Sequence, residues 1–215
     1  MARVERLELP GPGMHFERRP GDPSGDGHPC VLLHGLSGDE TSLWVFESAL
    51  PHRSTLLAVR GVYVWPPGGF SWVAPEVDHR YRPQDFAAGV TAVEQVVSAC
   101  LSSAERNRGL ILVGFSQGAG LAFAAAADPR LPVAGVVCLA GFLPDGPLQR
   151  VSGLPVYWSH GRRDPLVSID EAREQVERLR AAGAQVTFCE AETTHKVARE
   201  CLQGLRSWLQ EKGLA

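Results

Sequence analysis

The sequence lacks several features, and each absence closes off a function. It has no excess of basic residues: 21 lysines and arginines stand against 24 aspartates and glutamates, a formal net charge of −3. A phosphate backbone needs a positive face to hold it, so nucleic acid is not an expected partner. No apolar run reaches the roughly 20 residues that span a bilayer, and the longest, such as 119–127, fall well short. The opening Met-Ala-Arg-Val-Glu-Arg-Leu-Glu-Leu alternates apolar and charged residues and has no basic patch leading into an apolar core, so it does not read as a signal peptide. A cytoplasmic protein without integral membrane association is the expectation. No Cys-x-x-Cys pair is present. The five cysteines (Cys30, Cys100, Cys138, Cys189 and Cys201) are odd in number and widely spaced, which predicts free thiols, mostly buried, and no metal site. Gly114 to Gly120 lacks the Lys-Ser/Thr pair of a phosphate-binding loop. Nor is there an internal repeat, a low-complexity tract or an interdomain linker, and the 215 residues suit one domain over 1–215.

What remains is an ordinary globular composition, 44% hydrophobic and 21% charged, organised by pattern. Residues 3–9 and 14–18 alternate around Pro10-Gly11-Pro12-Gly13 and predict two antiparallel edge strands joined by a turn. Continuous apolar runs at 30–33, 54–59, 110–115, 133–139 and 154–159 predict buried central strands, with a last strand at 185–190. Between them lie helical spacings: Phe86, Val90, Val93, Val97 and Leu101 after Pro83, a small-residue helix over 117–127, and Ile169, Ala172, Val176 and Leu179 behind a capping signal at Ser168. Val197, Cys201, Leu205 and Trp208 mark the last helix. Short apolar strands alternating with amphipathic helices require crossovers, hence a mostly parallel sheet with helices on both faces, whose ligands gather at the carboxyl ends of the strands.

The chemistry-bearing residues fall just after such strands. Gly114-Phe115-Ser116-Gln117-Gly118 fits G-x-S-x-G between a strand and a helix, where a strained turn exposes a nucleophilic hydroxyl and glycines relieve the crowding. A serine hydroxyl needs a base aligned by a carboxylate, in the chain order Ser, acid, His. Two histidines follow Ser116. His160 ends a strand and would need Asp128 or Asp145 as its acid, whereas His195 lies between the last strand and the last helix, the place expected of the base. Asp164 follows a strand end directly; Asp170 and Glu171 suit a helix first turn, and Glu190 and Glu192 are too near His195 in the chain. The catalytic set is therefore Ser116, Asp164 and His195. The backbone N–H groups of Gln117 and Leu36 are the expected oxyanion donors, and His34 reads as structural.

With these residues in view, the sequence resembles the phospholipase/carboxylesterase family of α/β-hydrolases, which includes the acyl-protein thioesterases. The resemblance runs from about residue 30 to the end of the chain. It rests on Leu33-His34-Gly35 with Gly38-Asp39-Glu40, Arg60-Gly61 leading to Gly68-Gly69-Phe70 and Trp72, the Gly114–Gly118 motif, His160-Gly161 with Asp164, and His195. It implies an esterase acting on carboxylic esters, with thioesters or lysophospholipids as related substrates, and needing no cofactor. Where eukaryotic thioesterases of the family read His-Gly-Leu-Gly-Asp, this chain has an added Ser37, nearer to bacterial carboxylesterase-like members.

Only 12 residues separate Gly141 from Leu154, too few for a helical lid, so an open cleft is expected. Trp65, Phe70 and Trp72 are candidates for an apolar substrate groove, with packing of their own loop as the alternative. Arg60 and Arg163 are candidates for an anionic head group, with plain surface charge as the alternative. A peptidase or amidase with the same triad and a catalytically silent binding domain are the other functional readings, and a homodimer is left open.

Overall fold

The computed structural model describes residues 3–9, 14–22, 25–78 and 80–215. The expected turn at Pro10–Gly13 lies outside them. The elements, in chain order, are β1 (Glu5–Glu8), β2 (His15–Arg19), β3 (Cys30–Leu33), a 3-10 helix (Ser42–Ala49), β4 (Leu56–Val59), β5 (Tyr63–Val64), β6 (Phe70–Ser71), a 3-10 turn (Pro83–Phe86), α1 (Ala87–Cys100), α2 (Ser103–Arg108), β7 (Leu110–Phe115), α3 (Gln117–Ala126), β8 (Val133–Leu139), β9 (Pro155–Gly161), α4 (Ile169–Ala181), β10 (Gln185–Ala191) and α5 (Arg199–Glu211).

Eight strands form one sheet in the order β1-β2-β4-β3-β7-β8-β9-β10. The β1–β2 and β2–β4 pairs are antiparallel, and every other pair is parallel. The exposed strand β1 is an edge, as its alternating pattern predicts. Because side chains alternate across a strand, the apolar runs feed two cores. Val31, Leu33, Leu110, Leu112, Val136 and Val156 face α1, α3 and α4, while Leu32, Ile111, Val113, Val137 and Tyr157 face α5 and the 3-10 helix. Complete burial of each such Val, Leu or Ile contributes about 1.5–3 kcal/mol, which explains why these strands read as unbroken apolar runs.

The expected helix faces are present: Phe86, Val90, Val93, Val97 and Leu101 are all buried, as are Ala172, Val176 and Leu179, while Ile169 is half-buried. Ser168 accepts the Glu171 N–H as the α4 cap, and Gly183 ends that helix with φ of 90°. The β8–β9 connection carries no helix and no lid. This is an α/β-hydrolase fold.

The cysteine expectation needs correction. Cys30, Cys100 and Cys138 are free, but Cys189 and Cys201 form a disulfide. Spacing along the chain gives no sign of it, since the two come together only when α5 packs beside β10. Among the described residues no helix is long and apolar enough to cross a membrane.

Candidate active site

The parallel strands β7, β9 and β10, with β8 between the first two, end on the same side of the sheet, and their C-terminal connections carry the three candidate residues. Ser116 sits between β7 and α3 at φ 52°, ψ −117°, outside the ordinary regions for a non-glycine residue. Such a conformation costs about 1–3 kcal/mol and persists only where neighbours enforce it. Here the neighbours are backbone. A Cβ on Gly118 would stand 2.0 Å from the Leu33 carbonyl oxygen, and one on Gly114 would stand 2.3 Å from the Gly118 oxygen. Both glycines are therefore demanded by close approach: α3 rests directly on the end of β3, and that contact drives the turn that presents Ser116.

Asp164 follows β9. Its side chain is fully buried, and its Oδ1 accepts the N–H groups of Leu166 (2.9 Å) and Val167 (3.1 Å). Its Oδ2 faces His195 Nδ1 at 2.8 Å. Burial would raise the carboxyl pKa, but the bonds from Leu166, His195 and Val167 outweigh it and hold the group below the usual carboxylate range. Asp164 is thus a fixed anion. His195, in the β10–α5 connection, has a side chain 17% exposed, and its ring packs against Phe115 with centroids 5.1 Å apart, next to the nucleophile candidate. With Nδ1 engaged by the carboxylate, Nε2 is the nitrogen free to accept a proton. Among the described residues the Ser116 hydroxyl forms no hydrogen bond, and such pairs commonly tighten only when substrate is bound.

Two buried histidines, His34 and His160, are committed elsewhere. His34 directs Nδ1 to the Gly35 oxygen (2.6 Å) and accepts the Gly61 N–H on Nε2 (2.8 Å). Accepting on Nε2 requires the neutral ring, which joins two loops, and burial lowers its pKa against that Gly35 bond. His160 accepts from the Trp158 indole on Nδ1 (3.3 Å) and directs Nε2 to the Val167 oxygen (2.9 Å); burial lowers its pKa as well. It backs the Asp164 loop and leaves no nitrogen for a substrate.

Leu36 lies in a turn closed by the Gly38 N–H bond to the Gly35 oxygen (3.0 Å), and a Cβ on Gly35 would stand 3.3 Å from the Ser116 Cβ. Neither Leu36 N–H nor Gln117 N–H has an internal acceptor among the described residues. Gln117 begins α3, where first-turn N–H groups are unpaired and the helix dipole favours negative charge. The Gln117 side chain does different work. Its Oε1 accepts the Trp72 N–H at 3.0 Å and its Nε2 donates to Ser71 Oγ at 3.1 Å, pinning the 71–73 segment beneath the helix.

The groove expectation is corrected at Trp72. Trp72 is fully buried and donates its indole N–H to the His34 oxygen (2.7 Å), so it packs its loop and meets no substrate. Phe70 lies under the Arg60 guanidinium, 4.6 Å from its ring centre, and half-buried Trp65 sits at the start of the β5–β6 turn. A cavity beside Phe115, about 300 Å³, is lined by Leu36, Leu43, Val45 and Phe46 with the 35–38 backbone. The 3-10 helix at 42–49 supplies three of these residues and has no helical period in the sequence. Its signal was Leu43-Trp44-Val45-Phe46 immediately after the Gly35–Glu40 loop. Arg60 does not await a head group either, since Glu40 holds it through both carboxylate oxygens. Arg163 donates to the Glu192 carbonyl at 3.0 Å. Among the described residues no three His, Cys, Asp or Glu side chains are grouped to hold a metal ion.

The comparisons with known proteins agree with this architecture. The family model for phospholipase/carboxylesterase matches residues 28–212. MhqD of Bacillus subtilis is 26% identical over 196 residues, 84% of this chain and 92% of that protein. Acyl-protein thioesterase 1 of Saccharomyces cerevisiae is 31% identical over 164 residues, 65% of this chain and 71% of the yeast protein. Among solved structures, the Bacillus cereus carboxylesterase superposes with a TM-score of 0.79 at 20% identity, over 93% of this chain and 94% of that one, a likeness of fold. The family match runs from ahead of β3 to the end of α5, and on that ground the chain belongs to the phospholipase/carboxylesterase family of hydrolases.

Proposed function

We propose that the protein hydrolyses carboxylic esters or thioesters of small apolar acyl groups through an acyl-enzyme on Ser116. The observation that carries this reading is the 2.8 Å contact between the buried Asp164 carboxylate and His195 Nδ1, made beside a strained serine turn. His195 Nε2 takes the Ser116 proton as Oγ attacks the acyl carbon, and Asp164 stabilises the imidazolium that results. The N–H groups of Leu36 and Gln117 receive the oxyanion, a preorganised contribution worth about 10²–10³ in rate for each donor in comparable enzymes. Collapse of the tetrahedral intermediate expels the alcohol or thiol, protonated by His195. A water molecule activated by the same ring then releases the carboxylic acid and frees Ser116.

The cavity under Leu36, Val45 and Phe46 suits the acyl portion. At about 300 Å³ it lies at the low end for small-molecule pockets, which points to short or medium chains. A fluorophosphonate probe on the wild-type protein is expected to label one serine, and Ser116→Ala to abolish labelling and ester turnover together. Undiminished labelling of the variant would overturn the assignment.

A further inference from the structure

Of the cysteines, Cys30 and Cys138 are fully buried; burial pushes the Cys30 thiol up to about 12 and the Cys138 thiol well above its ordinary value. Both are inert packing residues. Cys189 and Cys201 differ in place as well as in chemistry. Cys189 is half-buried on β10, Cys201 is fully buried in the first turn of α5, and they are bonded across twelve sequence positions. The segment that this bond closes is the connection carrying His195.

How that segment is held makes the placement matter. Ahead of His195 it is tied to the Asp164 side of the site: the Arg163 N–H donates to the Thr193 oxygen (3.0 Å), the Arg162 N–H to the Ala191 oxygen (2.8 Å), and the Arg163 guanidinium to the Glu192 oxygen (3.0 Å). Beyond His195 the backbone tie is local, Lys196 N–H to the Thr194 oxygen at 2.7 Å, and the chain then begins α5. Ala198 stands at the N-cap and gives that helix no side-chain cap, in contrast to Ser168 on α4. Val197 and Leu202 pack against the core at the start of α5, and its ties to the sheet by hydrogen bond and covalent bond meet at Cys201. Its carbonyl accepts the Tyr157 hydroxyl at 2.7 Å, and its sulfur is bonded to β10.

We propose that Cys189 and Cys201 are positioning residues for the hydrolytic reaction: their bond fixes the first turn of α5 to β10 and thereby holds His195 against Asp164 and beside Ser116. This rests on the triad reading above. It also makes turnover sensitive to thiols. A dithiol reductant attacks Cys189 Sγ, the more accessible sulfur, and the Cys189–Cys201 bond breaks with Cys201 leaving as a thiolate that takes up a proton. The reductant's second thiol then displaces the Cys189 thiolate, which is protonated in turn. The reductant ends as its own disulfide, having supplied two electrons and two protons.

The test is to reduce the wild-type protein with dithiothreitol, count the newly alkylated thiols by mass, and measure nitrophenyl ester turnover well below the melting point of the reduced form. Displacement of a reacting group by about 1 Å can cost about a hundredfold, so kcat is expected to fall by about tenfold or more while KM stays within about twofold. Reoxidation is expected to restore the rate. The low-field proton resonance of the His195–Asp164 bond is expected to be sharp in the oxidised form and broadened in the reduced one. Cys189→Ser/Cys201→Ser should match the reduced wild type and no longer respond to reductant. Cys189→Ala, which leaves the buried Cys201 in place, gives the same reading if the double variant does not fold. A fully reduced protein that melts lower yet keeps its kcat would make the bond purely structural and overturn the proposal. Failure of the triad reading shows separately, as probe labelling that survives Ser116→Ala.

Discussion

On one side of Ser116 the loop after β3 is tied to the 60–72 tract by many bonds. His34 bridges Gly35 and Gly61, Glu40 grips Arg60, Ser37 and Gly38 pair with Phe70, and Trp72 donates to the His34 oxygen. On the other side, among the described residues, the His195 ring is held by one hydrogen bond, to Asp164, and by a tilted contact with the Phe115 ring. The contrast follows from the work proposed for each side. Backbone N–H groups that stabilise an oxyanion act only if they are already in place when charge develops, and buried bonds with charged partners supply that rigidity. A base that accepts a proton from one oxygen and delivers it to another must reorient slightly, so its ring is left with a free nitrogen and an anion behind it.

The largest loss is expected at the acid. Asp164→Asn removes the anion while keeping the shape, and kcat is expected to fall by about 10³–10⁴-fold with KM within about threefold, measured on a nitrophenyl ester. Retention of more than about a tenth of the rate would place the acid elsewhere. The rigid side should yield a smaller loss. Glu40→Gln takes the charge from the Arg60 grip, and kcat is expected to drop by about 10- to 100-fold, less than the about 10²–10³ lost when an oxyanion donor is removed outright. Weaker binding of a boronic acid analogue would report the same loss without turnover. Smaller again is the effect on selectivity: Phe46→Ala opens the cavity, and preference among acyl lengths is expected to move toward longer chains by about 3- to 10-fold. Trp65→Ala, outside that cavity, should leave the chain-length profile unchanged. If Trp65→Ala moves the profile and Phe46→Ala does not, the acyl group lies on the other loop.

The mildest probe is pH, read as the melting temperature. Neutral His34 and His160 have folded pKa values below the ordinary histidine value. The unfolded chain therefore binds their protons first, and the stability they carry, complete above about pH 6.5, is lost as pH falls toward their folded values. Asp164 and Glu40 are held below the carboxylate range, the latter chiefly by its bond from Arg60. Their contribution is complete above about pH 4 and lost as pH falls through their folded values. The melting temperature should be flat above about pH 7, decline shallowly as pH falls below about 6.5 and more steeply below about pH 4, at about 2–4 °C for each kcal/mol lost. A single decline confined to the lowest range would mean that the two buried rings carry no linkage.

The central strands and the main helices were legible in the sequence because burial forces continuous apolar runs in the strands and three-four spacing in the helices. Ser116, Asp164 and His195 were legible as candidates because strand ends in such a sheet converge. The 3-10 helix at 42–49 was not, since Ser-Leu-Trp-Val-Phe-Glu-Ser-Ala has no helical period. α2 is six residues with no buried face, too short to show a pattern. The sequence leaves Trp72 open between groove and loop packing because composition cannot say which way an indole points; its direction is set by the His34 carbonyl, a partner 38 positions away. The Cys189–Cys201 bond was illegible for a similar reason, since it records the packing of a helix on a strand edge.

The contact of Gly118 with the Leu33 carbonyl has a practical corollary. The seam that seats helix on sheet also bends the serine outward, so a molecule whose seam has loosened loses its reactive group in the same event. Stoichiometric titration with a covalent probe should therefore count native molecules, and during heating or storage the titre should fall in step with the loss of folded protein.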